Sequence, residues 1–324
     1  MKRKTAIKNS IKVVIFLVAV LLGIEVLSVV VRPKDNTKES GTTNYQAKAI
    51  YTEPENTIDV IAIGASNFWC GYSPMQVWEN QGYTTYNCGT LMQEIWYTYY
   101  FLEKIYETQT PKVVFVDADV LFLEYSDITD NVNDMIKYTL QWRFPVMEYH
   151  NRWKTLSKAD FTTEVAATND NAMKGFYYVN LVEKYEDEND FMEQDFQNEE
   201  ITFLDVYFLE KIQKLCEEHG TKMVLLEAPA ERAWNDVRRD AVMDYAEAHN
   251  LEFLDANVAD IGIDWDTDTR DAGFHLNYNG AKKFTSYVEN YLVNECDLTD
   301  HRNDPAYSGW NDALILYKQT VGEQ

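Results

Sequence analysis

The stretch that decides the fold is Asp59-Val60-Ile61-Ala62-Ile63-Gly64-Ala65-Ser66-Asn67. Ile58 to Ile63 is a short, continuous apolar run rich in β-branched residues, and it stops at a glycine. Such a run reads as a strand buried on both faces. The residues that follow, Ala65-Ser66-Asn67, open a helix-like segment. A strand passing into a helix through Gly is the unit from which parallel sheets are built.

Four more runs repeat the pattern: Thr84–Asn87, Lys112–Asp117 (KVVFVD) after Pro111, Lys222–Glu227 (KMVLLE) before Pro229, and Leu251–Asp255 (LEFLD). Amphipathic stretches separate them. One begins at Ser73-Pro74, with Pro at the first helical position. Others are Leu91–Glu107, Leu204–His219 closed by Gly220, Asn235–Asn250 and Tyr278–Cys296. Strands alternating with helices predict an α/β three-layer sandwich of flavodoxin type, with a parallel sheet covered on both faces. Ligands in such sheets bind at the carboxyl ends of the strands. Ser66, Gly89, Asp117, Asp119, Pro229 and Asp255 all fall at such ends. Val120 to Glu200 breaks the alternation, and it is expected to be a mainly helical insertion over those ends, a lid, a platform or an embellishment.

Val13–Val31 (VVIFLVAVLLGIEVLSVVV) is apolar apart from Glu25 and Ser28. Nineteen helical residues rise about 28 Å, enough for a hydrocarbon core. Lys2, Arg3, Lys4, Lys8 and Lys12 precede the run, which keeps the N-terminus cytoplasmic and places everything after Arg32 outside the cell membrane. No small-x-small cleavage pattern follows, so an uncleaved single-pass signal anchor is expected. Glu25 would face a partner helix or reach outward. The expected organisation is a basic tail over 1–12, the anchor over 13–31, a polar linker over 32–56, the catalytic-type domain over 57–300 with its insertion at about 120–200, and a tail over 301–324.

The chain has 324 residues, with 53 acidic against 29 basic and a net charge of −24. Seven of the basic residues lie in the first 34 positions, so the remainder is still more acidic. That surface argues against nucleic acid, whose binding needs Lys and Arg on the phosphates. A neutral or cationic substrate suits it better, and solubility alone would also account for it. The 22 Tyr, 15 Phe and 8 Trp suit sugar rings as well as ordinary packing. Cys70, Cys88, Cys216 and Cys296 allow disulfides, and no pairing follows from their spacing.

Five histidines are present. His150, His219, His249 and His301 stand in polar or helix-end settings and read as solvated surface. His275 stands in Asp271-Ala272-Gly273-Phe274-His275-Leu276-Asn277, just before the last strand-covering helix, with a carboxylate four residues earlier. A serine nucleophile needs an imidazole to take its proton, and the imidazole needs a carboxylate to fix its tautomer. A serine after a strand is more often a helix cap than a nucleophile, so Ser66 gains weight only beside His275. Asn277 reads as a helix cap and Gly280 as a packing position.

Together these residues resemble the SGNH (GDSL-type) hydrolase family over about Asp59–Phe284, the insertion excepted. Gly64-Ala65-Ser66-Asn67 looks like the first block and Tyr86-Asn87-Cys88-Gly89 like the second. Asp271 with His275-Leu276-Asn277 looks like the last. The resemblance implies a Ser66–His275–Asp271 triad, an oxyanion hole from the N–H groups of Ser66 and Gly89, and no metal or organic cofactor. It is closest to membrane-tethered bacterial members of cell-envelope and exopolysaccharide systems. Related proteins there act on acyl esters of glycans or teichoic acids, often beside a membrane-bound O-acyltransferase.

Two departures stand out. The family's acid lies three residues before the histidine, where this chain has Ala272; Asp271 is one further away, and Asp268 is the reserve. The third block normally offers an asparagine to the oxyanion, but Asp117 and Asp119 stand there, and an ionised carboxylate donates no hydrogen bond. Asn235 or Asn67 would have to replace it. The expected activity is an extracytoplasmic serine esterase or O-acyltransferase. The alternatives are a catalytically weak or inactive relative that binds glycan or acts as a scaffold, and a phosphodiester hydrolase on the same fold.

Overall fold

The computed structural model describes residues 2–35, 37–123, 128–162, 172–185, 192–193, 196 and 199–323. They form two compact units. One comprises residues 1–43 and 132–168, the other residues 44–131 and 169–324.

The larger unit is the α/β sandwich. Its strands are β1 (Val60–Ile63), β2 (Thr85–Asn87), β3 (Val113–Asp117), β4 (Lys222–Glu227) and β5 (Glu252–Asp255). All pair in parallel, in the order β2-β1-β3-β4-β5. Val60 stands opposite both Thr85 and Val113, so the central strands end level with one another. The chain leaves β1 first to one side and then to the other. This reversal opens a crevice at the carboxyl ends of β1 and β3, where Ser66 emerges.

Alternate strand residues face opposite layers. Val60, Ala62, Val113, Phe115, Val224 and Leu226 pack with Phe284, Val288 and Leu292 of the helix Tyr278–Glu295. Ile61, Ile63, Val114, Val116 and Leu225 point the other way and are equally buried. The helices Ile95–Ile105 and Phe203–His219 cover that face, each with a buried apolar stripe. Gly220, at φ +68°, ends the second of them, as its position in the sequence suggests.

Three boundaries differ from the sequence expectation. The polar segment 44–56 is not a free linker: Ala47, Ala49 and Ile50 are buried, and Glu53 forms a buried ion pair with Lys174 at 2.6 Å. Residues 301–324 are not a tail. Ser308–Val321 is a helix that packs on Pro74–Gln81 through Trp310 and Trp78, whose rings lie 5.3 Å apart, and Tyr317 hydrogen-bonds Ser73 at 3.0 Å. His301 is not solvated surface either. It bonds Asp59 at 2.8 Å and stacks on Tyr307. The third difference is the insertion. Its residues from 132 to 162 belong to the smaller unit, whereas Lys174–Tyr185 runs without helix in the larger one.

In the smaller unit the helix Lys2–Val31 holds an apolar span, Ile7–Val31, long enough to cross a membrane. Its C-terminal end meets the helices Ile128–Arg143 and Pro145–Tyr149, the former of which begins in the larger unit. Glu25 pairs with Arg143 at 2.6 Å, and Ser28 accepts the Val146 N–H at 3.2 Å. Arg152 donates to the Val31 carbonyl at 2.6 Å. The costly glutamate of the span thus has a cationic partner in its own chain.

Candidate active site

Ser66 is the first residue of a one-and-a-half-turn helix, Ser66–Gly71, and Ala65 occupies the cap position before it. The serine is therefore not a helix cap. Its hydroxyl lies 2.8 Å from His275 Nε2. The Ser66 N–H, at the helix start, has no intrahelical acceptor.

Gly64 and Asp117 explain how the serine is presented. A Cβ at Gly64 would lie 2.0 Å from Asp117 Cβ, so only glycine lets β1 end against β3. Asp117 then accepts the Ala65 N–H at 2.8 Å. Behind the helix, Asn87 Nδ2 donates to the carbonyls of Phe68 and Tyr72 at 2.6 and 2.7 Å. Asn87 is one residue that sequence reasoning missed; its place at the end of β2 was the available signal.

His275 sits on a turn built for it. Its Nδ1 is 2.6 Å from Asp271 Oδ2, and its own N–H donates to Asp271 Oδ1 at 2.7 Å. Ala272 and Gly273 take the left-handed region, at φ +55° and +90°, and so absorb the extra residue between acid and histidine. Thr269, fully buried, accepts the Gly273 N–H and donates to the His275 carbonyl, closing the turn. Burial works to raise the Asp271 pKa. The hydrogen bond and charge of His275, with Arg270 behind them, outweigh it and hold the carboxyl below its usual range.

Asp268, the reserve acid, does not reach the histidine. It is buried against Lys283 and accepts the Asp264 N–H at 2.8 Å. Asn235 is also committed elsewhere. It caps the helix Asp236–His249 by accepting the Arg238 N–H, and it donates to Glu199. Its assignment to the oxyanion hole therefore does not hold. The Gly89 assignment changes as well. A Cβ there would come within 2.6 Å of Trp69 N, so the glycine does permit a close approach to the serine helix. Its N–H, however, donates to Asn87 Oδ1 at 2.9 Å. Asn67 is buried at 4% exposure, and its Oδ1 has no partner. Asn277 caps the last sandwich helix, and a Cβ at Gly280 would meet the Asp268 carbonyl at 2.6 Å, as cap and packing roles require.

The strand ends beside the serine carry a second set of carboxyls. Asp117, Asp119 and Glu227 are buried. Burial, then the Asp119 charge, raises Asp117 well above the carboxylate range. Burial raises Asp119 too, against the opposing charges of Arg238 and His275. Burial, then the charges of Asp117, Asp119 and Asp255, raises Glu227 well above the carboxylate range, and neither of its oxygens has a hydrogen-bond partner among the described residues. These groups favour the neutral form.

A strap, unforeseen in the sequence, joins nucleophile to base. The Tyr177 N–H donates to the Trp69 carbonyl at 2.8 Å, and the Glu183 N–H to the Thr269 carbonyl at 3.1 Å. The Ala272 N–H returns a bond to Glu183. Tyr177 also stacks on Trp69 with ring centres 4.1 Å apart. The acidic run beyond Tyr185 lies outside the described residues.

No protein-family model and no curated protein matches this sequence. Among solved structures, the chain is similar to a protein described as lipolytic and of the G-D-S-L family from Desulfitobacterium hafniense, at 15% identity over 73% of this chain and 100% of that one, with a TM-score of 0.39. It is similar to a lipase/acylhydrolase from Enterococcus faecalis at 12% identity, over 75% and 98% of the two chains, with a TM-score of 0.37. An acetyl xylan esterase from the rumen bacterium Butyrivibrio proteoclasticus matches at 9% identity, over 75% and 64%, with a TM-score of 0.35. Likenesses this distant do not transfer chemistry, and the functional reading rests on the residues themselves.

Proposed function

We propose that this chain is an SGNH-type serine esterase or O-acyltransferase. The observation that carries the reading is the continuous relay from Ser66 Oγ to His275 Nε2 at 2.8 Å and from His275 Nδ1 to Asp271 at 2.6 Å. Ser66 attacks the carbonyl carbon of an acyl ester, commonly acetyl, as its proton passes to His275 Nε2. Asp271 fixes the tautomer that leaves Nε2 free to accept and stabilises the imidazolium that forms. The tetrahedral oxyanion is met by the Ser66 N–H and by the Asn67 Nδ2, on a buried side chain beside the nucleophile whose Oδ1 has no partner among the described residues. Collapse expels the alcohol, which takes the proton back from His275. The acyl-enzyme then passes its group to water, or to a sugar hydroxyl in transfer.

With the Gly89 N–H engaged by Asn87, one family donor is withdrawn. Losing one such donor costs about a hundredfold to a thousandfold in rate. That favours slow, specialised turnover, and it is the observation behind the alternative of a weak or inactive binding relative. The apolar helix is the signal anchor of this reading. It leaves the basic N-terminus in the cytoplasm and the sandwich outside, where acylated envelope or exopolysaccharide glycans and a membrane-bound O-acyltransferase are the proposed substrate and partner.

A fluorophosphonate probe tests the centre. The wild-type chain should be labelled, Ser66→Ala not at all, and His275→Ala at least about a thousandfold more slowly. Folded wild-type protein that resists the probe would overturn the enzyme in favour of the binding relative.

A further inference from the structure

Arg270, adjacent to the triad acid, has a guanidinium with no acceptor. Its side chain is 18% exposed, yet its Nε is buried without a hydrogen-bond partner. Among the described residues the guanidinium donates no hydrogen bond to protein; only the Arg270 backbone N–H does, to the His275 carbonyl at 3.1 Å. The nearest carboxylate oxygen, Asp271 Oδ2, is 3.7 Å away, too far for a hydrogen bond. His275 donates one hydrogen bond to each Asp271 oxygen, and Arg270 meets that carboxylate only at ion-pair range. The remaining neighbour is the Tyr177 ring, with its centre 5.7 Å from the Arg270 carbon. Tyr177 in turn stacks on Trp69, three residues along the serine's helix.

A guanidinium carries five donors in a planar fork that matches a carboxylate or a phosphate group. Holding it mostly out of water with no acceptor opposes folding, and that cost is relieved when an oxyanion docks. We infer that Arg270, walled by Tyr177, is a binding subsite for a single oxyanionic substituent, carboxylate or phosphate, on the substrate that meets Ser66. Its place next to the reacting atoms rests on the esterase reading above; the anion binding itself does not. The chain's net charge of −24 repels polyanions at long range. The substituent is therefore an isolated charge on an otherwise neutral molecule. This departs from the neutral or cationic class that composition alone suggested.

The test is calorimetric titration of the full chain in detergent with phenyl phosphate, phenylacetate and, as the uncharged control, benzyl alcohol. At least one anion should bind about tenfold or more tighter than the alcohol, which names the favoured source. Arg270→Gln should abolish that difference. Arg270→Lys, which keeps the charge but not the fork, should weaken the anion several-fold. Anions bound no tighter than benzyl alcohol by wild-type protein, or equally well by both variants, overturn the subsite. Ser66 labelling by the fluorophosphonate probe, measured on the same samples, reads the catalytic machinery separately, so failure of one is not mistaken for failure of the other.

Discussion

Asp271 and Glu227 are both carboxyls on loops or strand ends of the same sandwich, and they settle into opposite states. Asp271 receives two hydrogen bonds from His275 and the field of Arg270, and these hold it ionised despite burial. Glu227 ends β4 with both oxygens unpartnered and three like-charged neighbours, and it is driven toward the neutral acid. Burial and charge act together: Glu227 is fully buried among carboxyls, whereas the Asp271 side chain is 36% exposed and faces His275 and Arg270.

The comparison breaks most completely at Asp271→Asn. An amide there donates where it should accept, so His275 is held in the wrong tautomer. Ester hydrolysis should fall by about a thousandfold to ten-thousandfold with the fold unchanged, as read by activity beside a thermal melt. Activity within tenfold of wild type would remove Asp271 from the triad. Gly64→Ala strikes between the two regions by driving a methyl onto Asp117. Because the obstacle is Cβ rather than a flexible tip, the expected loss is about 3 kcal/mol, the upper end for overpacking. An unshifted melting midpoint would show that β1 can move aside.

The smallest effect sharpens the comparison through pH. A carboxyl whose pKa is raised on folding holds its proton longer in the folded state. Its stabilisation is complete below the ordinary glutamate range and is lost as pH rises toward the folded value. Glu227→Gln should therefore make the decline of stability above about pH 4.5 shallower, by about 1.4 kcal/mol per pH unit within that window. Asp271 contributes with the opposite sign, present above the ordinary aspartate range and lost as pH falls. Denaturant melts across pH measure both. Identical slopes in wild type and Glu227→Gln would mean that Glu227 finds a partner in solution.

The five strands were legible because fully buried parallel strands leave continuous apolar runs, as at Ile61–Ile63 and Val113–Val116. That Ser66, His275 and Asp271 lie together was legible because a serine paired with a histidine and a carboxylate restricts residue type. The oxyanion donors were not. Residue names at 89 and 235 do not say which acceptor an N–H or an amide has already found, and here Asn87 and Glu199 had found them. The C-terminal helix shows a different failure. Trp310, Ala313, Tyr317 and Val321 carry a helical spacing in plain view, but the spacing alone does not say that Trp78 and Ser73 are there to receive it. The packed segment near Ala47 offers only a few small apolar residues among polar ones, too weak a period to separate from a linker.

The strap between Lys174 and Tyr185 holds nucleophile and base in register with main-chain bonds, and main-chain bonds are blind to side-chain identity. Selection can therefore let this segment drift far in sequence while the serine and histidine keep their distance. Proline is barred at Phe176, Tyr177, Glu183 and Tyr185, where an amide hydrogen is donated, and any side chain is barred at Gly175, where a Cβ would lie 1.8 Å from the Asn87 carbonyl oxygen. In a comparison of homologues, this segment should be recognised by a fixed glycine at 175 and, beyond it, by where proline never occurs.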